Sequence, residues 1–95
     1  MRKHGRTDAN QEDIVKALRK AGAKVVILSS MGQGIPDLLV GYRKLNLLLE
    51  VKDESQPPSK RVLTPEQEEW HAEWLGHAAV VKNEDEALRA IGALK

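Results

Sequence analysis

The chain has 95 residues, of which 41% are hydrophobic and 31% charged; it can build one compact core but is too short for two, and its composition does not fit a disordered chain. It contains no cysteine, which excludes disulfides and thiolate metal sites and suits a reducing compartment. No apolar run approaches the roughly 18 residues of a membrane span, and no signal-peptide core follows the basic opening, so we expect a cytoplasmic protein.

A helix and a strand are predicted at the start of the chain. Apolar residues recur at helical spacing over Asp8–Ala21, with Thr7 or Asp8 as the cap and Gly22 as the terminator. The short β-branched run that follows predicts a buried strand over Lys24–Ser29.

A hairpin is predicted next, after the glycine-rich loop Ser30–Gly34. Pro36 favours extended geometry in the residue before it. The first strand is expected over Asp37–Gly41, and the chain then turns through residues 42–45 into a second strand over Asn46–Lys52.

The second half of the chain predicts two helices around a fourth strand. After the polar, proline-bearing loop Asp53–Leu63, Thr64-Pro65-Glu66-Gln67 matches a capping box that opens a helix over Pro65–Leu75. A strand over His77–Val81 follows, and Asn83 caps a last helix that covers one face of the sheet. The expected order is αβββαβα, an α/β fold with a mixed central sheet flanked by helices.

The formal net charge of +1 conceals an uneven distribution. Residues 1–61 contain twelve Lys or Arg against seven Asp or Glu, a net of +5, whereas residues 62–95 have a net of −4. A basic segment gains affinity for a polyanion by releasing its counterions. Ordinary solvated surfaces carry such blocks too. Charge alone leaves both interpretations open.

The second strand of the hairpin carries two charges within an apolar sequence. Period-two alternation places Leu48, Glu50 and Lys52 on one face of this strand. A half-buried carboxylate and ammonium cost several kcal/mol to desolvate unless they are paired or bound to a metal. An ion pair between Glu50 and Lys52 is one way to compensate them.

A second acid is expected beside Glu50. Asp37 opens the neighbouring strand, and hairpin pairing brings it close to the Glu50 end of its partner. Two carboxylates this close repel each other unless a cation lies between them. Mg²⁺ fits because it prefers carboxylate oxygens and keeps several waters. The sequence therefore predicts a magnesium site, in which Mn²⁺ is expected to substitute.

Pro36-Asp37 and Glu50-Val51-Lys52 resemble the signature of PD-(D/E)xK nucleases, whose restriction-endonuclease-like core has the order αβββαβ. The chain further resembles the VRR-NUC branch of that superfamily over roughly residues 10–91. This second likeness rests on an early helix with Glu12, the turn Gly34-Ile35-Pro36-Asp37, the segment Glu50-Val51-Lys52, and Leu63-Thr64-Pro65-Glu66-Gln67. It implies a basic N-terminal arm over residues 1–9 and a nuclease domain over residues 10–95.

The resemblance assigns roles to the converging residues. Asp37 and Glu50 would bind the metal together with the backbone carbonyl of Val51. Lys52 would orient the attacking water or stabilise charge on the phosphorane. Glu12 would face the metal pair directly or through water, although acids in a first helical turn also compensate the helix dipole.

Two further features of the predicted second helix have open interpretations. Gln67 lies by the active site in the resembling family, but it is also the capping-box partner of Thr64. It shares a helical face with Trp70 and Trp74. These tryptophans could stack on unpaired bases, although we favour a core or dimer contact.

Candidate DNA contacts lie in the glycine loop and in the basic segments. Gly32 and Gln33 lie in a loop whose glycines would let DNA approach the backbone, and the loop lacks the sequel of a nucleotide-binding motif. The candidate phosphate contacts are Arg2, Lys3, Arg6, Arg43, Lys44, Lys60 and Arg61.

The resemblance implies a stand-alone, magnesium-dependent DNA endonuclease from a phage or bacterium. Structured DNA such as a four-way (Holliday) junction is the expected substrate, without a nucleotide cofactor. Because each chain has one catalytic set and a junction requires two cuts, we expect a homodimer. The alternative is a non-catalytic DNA-binding or assembly module that retains the fold.

Overall fold

A computed structural model describes the backbone of residues 4–94 and the side chains from residue 9 to residue 94. The elements follow the predicted αβββαβα order, with one 3-10 turn added over Pro58–Lys60. They are α1 (His4–Lys20), β1 (Lys24–Ile27), β2 (Leu38–Tyr42), β3 (Leu45–Val51), α2 (Pro65–Glu73), β4 (Ala78–Val81) and α3 (Glu84–Ala90). Within residues 4–94, every helix is too short or too polar to span a bilayer.

The helix ends differ most from the sequence prediction. The first helix begins at His4 rather than at Asp8, so Thr7 and Asp8 lie inside it instead of capping it. A capping residue is a local signal, and it does not prevent the helix from extending upstream. The second helix ends at Glu73 rather than Leu75, because Trp74 adopts extended backbone (φ −75°, ψ 129°) and directs the chain towards β4.

The four strands form one mixed sheet in the order β1-β2-β3-β4. The first three strands are antiparallel neighbours, the β2–β3 pair forming the predicted hairpin, and β4 is parallel to β3. A parallel neighbour needs a crossover connection, which here consists of the 3-10 turn and α2. The central position of β3 explains why most of this strand is buried.

One face of the sheet holds the hydrophobic core. Helices α1 and α3 contact each other and cover this face, which carries Leu38, Leu49 and Val51. From the helices, Ile14 and Leu18 are completely buried there. Alternation along β3 places Leu48 and Glu50 on the opposite face, as predicted. The second face is therefore where polar chemistry is available.

The turn of the β2–β3 hairpin consists of two residues with left-handed backbone. Arg43 and Lys44 have φ values of 51° and 73° between the paired residues Tyr42 and Leu45. Two-residue turns with positive φ at both positions match the twist of a hairpin but favour Asn and Gly. The guanidinium of Arg43 lies 5.2 Å from the centre of the Tyr42 ring.

Candidate active site

The hairpin register brings the two predicted acids together. Since Leu38 pairs with Leu49, the residues that follow this pair are Asp37 and Glu50. Asp37 is fixed by the backbone N–H of Val51, which donates to its Oδ2 atom at 2.9 Å. The hydroxyl of Ser29 lies 3.4 Å from the Oδ1 atom. The sequence prediction that the two acids converge is thus met in the structure.

Glu50 is an almost completely buried carboxylate, with 3% of its surface exposed. Its Oε2 atom accepts a hydrogen bond from Nε2 of Gln67 at 3.1 Å and lies 3.6 Å from Nζ of Lys52. Its Oε1 atom is buried and accepts no hydrogen bond from an N–H or O–H group of the described residues, whereas protonated Glu50 shares a hydrogen bond with the carboxylate of Asp37. Burial, followed by the charge of Asp37, raises the pKa of Glu50 to about 8 although Lys52 opposes the shift.

Gln67 connects the acid, the lysine and the start of α2. Its Oε1 atom accepts from Nζ of Lys52 at 2.9 Å and from the backbone N–H of Thr64 at 2.9 Å. The Thr64 hydroxyl in turn accepts from the backbone N–H of Gln67, which completes the capping box. The two interpretations of Gln67 are therefore compatible, because the capping residue is also the neighbour of Glu50 and Lys52.

His71 is a residue near the site that sequence reasoning missed. It follows Gln67 by one helical turn, so both residues lie on the same side of α2. Its Nε2 atom is buried without a hydrogen-bond partner among the described residues. Burial, with a smaller contribution from the charge of Lys52, lowers the pKa of His71. The spacing from Gln67 was the available signal.

Helix α1 reaches the site through Asn10 and Gln11, not through Glu12. Asn10 Nδ2 donates to the Lys52 carbonyl at 3.0 Å, and Gln11 Oε1 accepts from the Ser29 hydroxyl at 3.1 Å. The exposed Glu12 lines a groove of about 400 Å³, which Gln11 also borders. The groove is lined by Gln11, Glu12, Val15, Lys16, Arg19 and Ile27.

Glu12 is consequently not part of a carboxylate cluster with the two acids. Residues 9–94 contain no group of three or more His, Cys, Asp or Glu side chains placed to bind a metal ion. The role predicted for Glu12, directly or through water beside the metal pair, stays a prediction. The side chain of Val51 is buried in the core, which leaves its backbone as the part available to a ligand.

The glycine loop only partly matches its predicted role. Gly32, Gln33 and Gly34 all have positive φ, between 60° and 77°. Nothing lies within 4 Å of a β-carbon built on Gly32, whereas one built on Gly34 would be 2.6 Å from the carbonyl oxygen of Glu66. The expectation that the loop glycines let DNA approach the backbone is wrong for Gly34, because α2 packs against this residue.

The candidate phosphate contacts are dispersed over the molecule. Arg43 and Lys44 are exposed at the hairpin tip, roughly 20 Å from the acids at about 3.3 Å per strand residue. Lys60 is exposed, whereas Arg61 is half-buried and its Nε atom has no partner among the described residues. Arg2 and Lys3 lie outside the described residues, as does the side chain of Arg6.

The two tryptophans of the α2 region stack on each other. Their ring centres are 4.7 Å apart and their planes differ by 18°. Trp70 is half-buried, with its β-carbon facing Gly34, and 45% of Trp74 is exposed. Intramolecular packing thus accounts for Trp70, while Trp74 retains a free surface.

Comparisons with known proteins agree with this fold. Neither models of known protein families nor curated protein sequences give a match to the chain. A solved structure described as a VRR_NUC domain superposes with a TM-score of 0.67 and 27% sequence identity. The match covers 90% of this chain and 92% of that one. This likeness and the mixed sheet with its three helices support identification of the chain as a VRR-NUC domain protein with a restriction-endonuclease-like fold.

Proposed function

We propose that the chain is a divalent-metal-dependent endonuclease that hydrolyses phosphodiester bonds in DNA. The observation that carries this proposal is the buried carboxyl group of Glu50 beside the carboxylate of Asp37, an arrangement that needs either a shared proton or a cation. Burying a charged carboxyl group is costly unless a partner compensates its charge. The likeness to a VRR_NUC domain supports a nuclease-type fold for the same site.

The donor set suits a hard cation such as Mg²⁺. Asp37, Glu50 and the Val51 carbonyl would hold it, and Mn²⁺ would substitute. A site with few protein ligands suits Mg²⁺, which retains waters and accepts phosphate oxygens. When bound, the ion polarises the phosphate and lowers the pKa of a bound water. The raised pKa of Glu50 means that ion binding competes with a proton near neutral pH.

The remaining site residues position charge around the phosphate. Lys52 presents an ammonium beside Glu50, where it can orient the attacking water or stabilise negative charge on the phosphorane. Gln67 restrains both side chains at once, so the lysine and the acid keep a fixed relation. Asn10 bonds the backbone carbonyl of Lys52 and restrains the end of β3.

Structured DNA, and four-way junctions in particular, is the substrate class that we propose. The exposed carboxylates of α2 would repel phosphates, whereas cations lie at the hairpin tip and on the loop before α2. DNA would therefore lie across the latter regions. The α2 carboxylates are Glu66, Glu68, Glu69 and Glu73.

We propose a homodimer, since two cuts in a junction require two sites. Exposed apolar side chains follow α2, where 45% of Trp74 and 99% of Leu75 are accessible. After the last helix, Leu94 is 36% exposed. Light scattering from 1 to about 100 µM, a span that covers common homodimer affinities, would detect the dimer. A monomeric mass throughout, with paired cuts still made on a junction, would contradict it.

The non-catalytic alternative draws on one observation, the Glu50–Lys52 ion pair. With Gln67 bridging them, the two charges partly compensate each other without a metal. A module of this kind would bind DNA and leave it intact. The carboxylate of Asp37 beside Glu50, which this ion pair does not neutralise, favours the endonuclease.

The deciding experiment compares labelled junction, flap, duplex and single-stranded DNA with Mg²⁺, Mn²⁺ or EDTA. We expect metal-dependent cleavage with preference for the junction. Glu50→Gln should abolish it while circular dichroism shows retained folding. Asp85→Asn, an exposed acid on α3 across the sheet, is the matched control and should cleave normally. Binding without cleavage under every metal condition would support the alternative.

A further inference from the structure

The sheet face that carries Asp37 and Glu50 is open over β1 and β2. Alternation along these strands places Val26 and Leu39 on that face, where the two residues pair across the strands. Val26 is 46% exposed and Leu39 is 37% exposed. Leu48 of β3, the next residue in this row, is buried. An apolar surface therefore begins beside the acids and extends to the β1 edge of the sheet.

A second row on the same face consists of Lys24, Gly41 and Asn46. The sheet register places these residues side by side on β1, β2 and β3. Lys24 and Asn46 are exposed. The lysines that form ion pairs within the described part of the chain are Lys52 and Lys82. The row therefore presents an ammonium without an ion-pair partner there and an amide, one on each side of a residue that has no side chain.

Gly41 is not required by the conformation or the packing of β2. Its backbone is outside the left-handed region. A β-carbon built on it would lie 3.9 Å from Oδ1 of Asn46 and 4.0 Å from the carbonyl oxygen of Leu45, which are ordinary van der Waals contacts. Glycine inside a strand weakens the strand and often marks a place where a ligand approaches closely. This position is thus a notch in the sheet surface.

The two rows connect the acids with the cations of the hairpin tip. At about 3.3 Å per residue, Leu39 lies about 7 Å and Gly41 about 13 Å from Asp37 along β2. Arg43 and Lys44 follow at the tip. A DNA strand with one phosphate at the acids covers this distance in a few nucleotides. The distribution of charge along the face therefore matches a strand that runs from the acids towards the tip.

We propose that this face is a track for the DNA strand that leads to the scissile phosphate. Lys24 and Asn46 bind a neighbouring phosphate over the Gly41 notch, since an ammonium and an amide both supply N–H donors. Val26 and Leu39 contact the base of a nucleotide in between. Apolar side chains reach a base only where it is unstacked or unpaired, so the track favours a strand that leaves the duplex, as at a branch point. This inference deepens the proposed function and rests on it for the position of the scissile phosphate.

The phosphate contact is tested by filling the notch and by removing the charge. Gly41→Val should preserve or raise thermal stability, because valine suits a strand and its β-carbon has room. In EDTA, which prevents metal-dependent cleavage, fluorescence anisotropy should show about fivefold weaker binding of a labelled oligothymidine of about ten nucleotides. Lys24→Gln should weaken the same binding and lower its salt slope by about 0.7, the contribution of one phosphate on a single strand. Lys20→Gln, at an exposed lysine that ends α1, is the control and should bind normally.

The apolar contact is tested by the double variant Val26→Ser and Leu39→Ser. It should weaken binding of the oligothymidine about tenfold and binding of a blunt duplex much less, because paired bases are inaccessible to these side chains. Ile27→Ser changes the next residue of the same strand, which is 52% exposed on the opposite side of the sheet. This control should bind both DNAs normally.

The outcomes separate this proposal from the proposed function. Failure of the wild-type protein to bind the oligothymidine, or equal affinity in Gly41→Val and in the double variant, would overturn the track whether or not the protein cleaves DNA. A double variant that changes the mass in light scattering without changing DNA affinity would also overturn it and assign the face to a contact between copies of the chain. If the variants behave as expected while no form of the protein cleaves DNA with Mg²⁺ or Mn²⁺, the proposed function fails and the track stands.

Discussion

The two ends of the β2–β3 hairpin differ in how they hold their charges. At one end, Asp37 and Glu50 are held by backbone and side-chain hydrogen bonds, and the burial of Glu50 disfavours its charged form. At the other end, Arg43 and Lys44 are exposed on left-handed backbone. The buried end is preorganised and therefore selective for what compensates its charge. The exposed end is adaptable and suits contact with a uniform backbone such as that of DNA.

The largest expected effect comes from removing an acid at the buried end. Asp37→Asn should lower single-turnover cleavage by a factor of about 100 to 1,000, because the cation loses one of its two carboxylates. The amide oxygen can still accept from the Val51 N–H, and the charge that disfavours ionised Glu50 disappears. Metal-free thermal stability should therefore be preserved or raised. A melting temperature lower by about ten degrees would show instead that Asp37 is structural.

The pH dependence of stability is a second test of the buried end of the hairpin. The pKa of Glu50 is raised from 4.5 to about 8, so between these values the folded protein keeps a proton that the unfolded chain releases. The free energy of unfolding of the metal-free protein should then fall as pH rises through this window. Urea denaturation at pH 5, 6.5 and 8 measures the trend.

Glu50→Gln is the control for that measurement because it cannot titrate. Its stability should vary much less between pH 5 and 8 and should exceed that of the wild-type protein most clearly at pH 8. Below about pH 6.5, the lowered pKa of His71 makes the free energy of unfolding rise with pH. Both proteins contain His71, so this contribution does not distinguish them. Parallel pH profiles for the two would rule out a raised pKa at Glu50.

The loop cations should affect binding rather than cleavage chemistry. Replacing Lys60 and Arg61 together by alanine should weaken DNA binding and lower the salt slope by about two units, since each phosphate contact contributes about one. We expect the half-buried Arg61 to account for more of the affinity than Lys60. The double variant Lys82→Ala and Arg89→Ala also removes two cations, one just before α3 and one on it, and is the matched charge control. An unchanged slope would remove the loop from the interface.

The smallest effect is expected at the hairpin tip. Replacing Arg43-Lys44 by Asn-Gly supplies the residues that this turn conformation prefers and should raise stability by about 1 kcal/mol. The same change removes two cations, so DNA binding should become weaker and less dependent on salt. Denaturant titration and binding in a salt series measure the two effects separately. Unaltered DNA affinity would show that the tip has no contact with the substrate.

The residues predicted correctly near the site are those whose positions follow from local rules. Period-two alternation and hairpin pairing place Asp37, Glu50 and Lys52, and the capping box places Gln67. The helix residues next to the site follow no such rule. Whether Gln11 or Glu12 faces the acids depends on the rotation of α1 about its axis, which is fixed by packing against the sheet.

Partners formed between distant elements explain the other omissions. Ser29 reaches Asp37 only because the chain turns back after β1, and the pKa of His71 responds to Lys52, which lies before the crossover connection. No feature of the sequence predicts that α1 begins at His4, and the candidate caps Thr7 and Asp8 point to a later start. Sequence periodicity describes an element by itself, whereas these contacts depend on how elements are placed together.

Gly34 shows that a residue without a side chain can determine the geometry of the candidate active site. A β-carbon at this position would lie 2.6 Å from the Glu66 carbonyl oxygen, and the φ of +77° disfavours other residues as well. Glu66 immediately precedes Gln67, so any added atom displaces the amide that restrains Lys52 and Glu50. In a saturation-mutagenesis screen for activity, position 34 should tolerate as few substitutions as the acids do. An engineer who alters this protein should treat the absent side chain as part of the candidate active site.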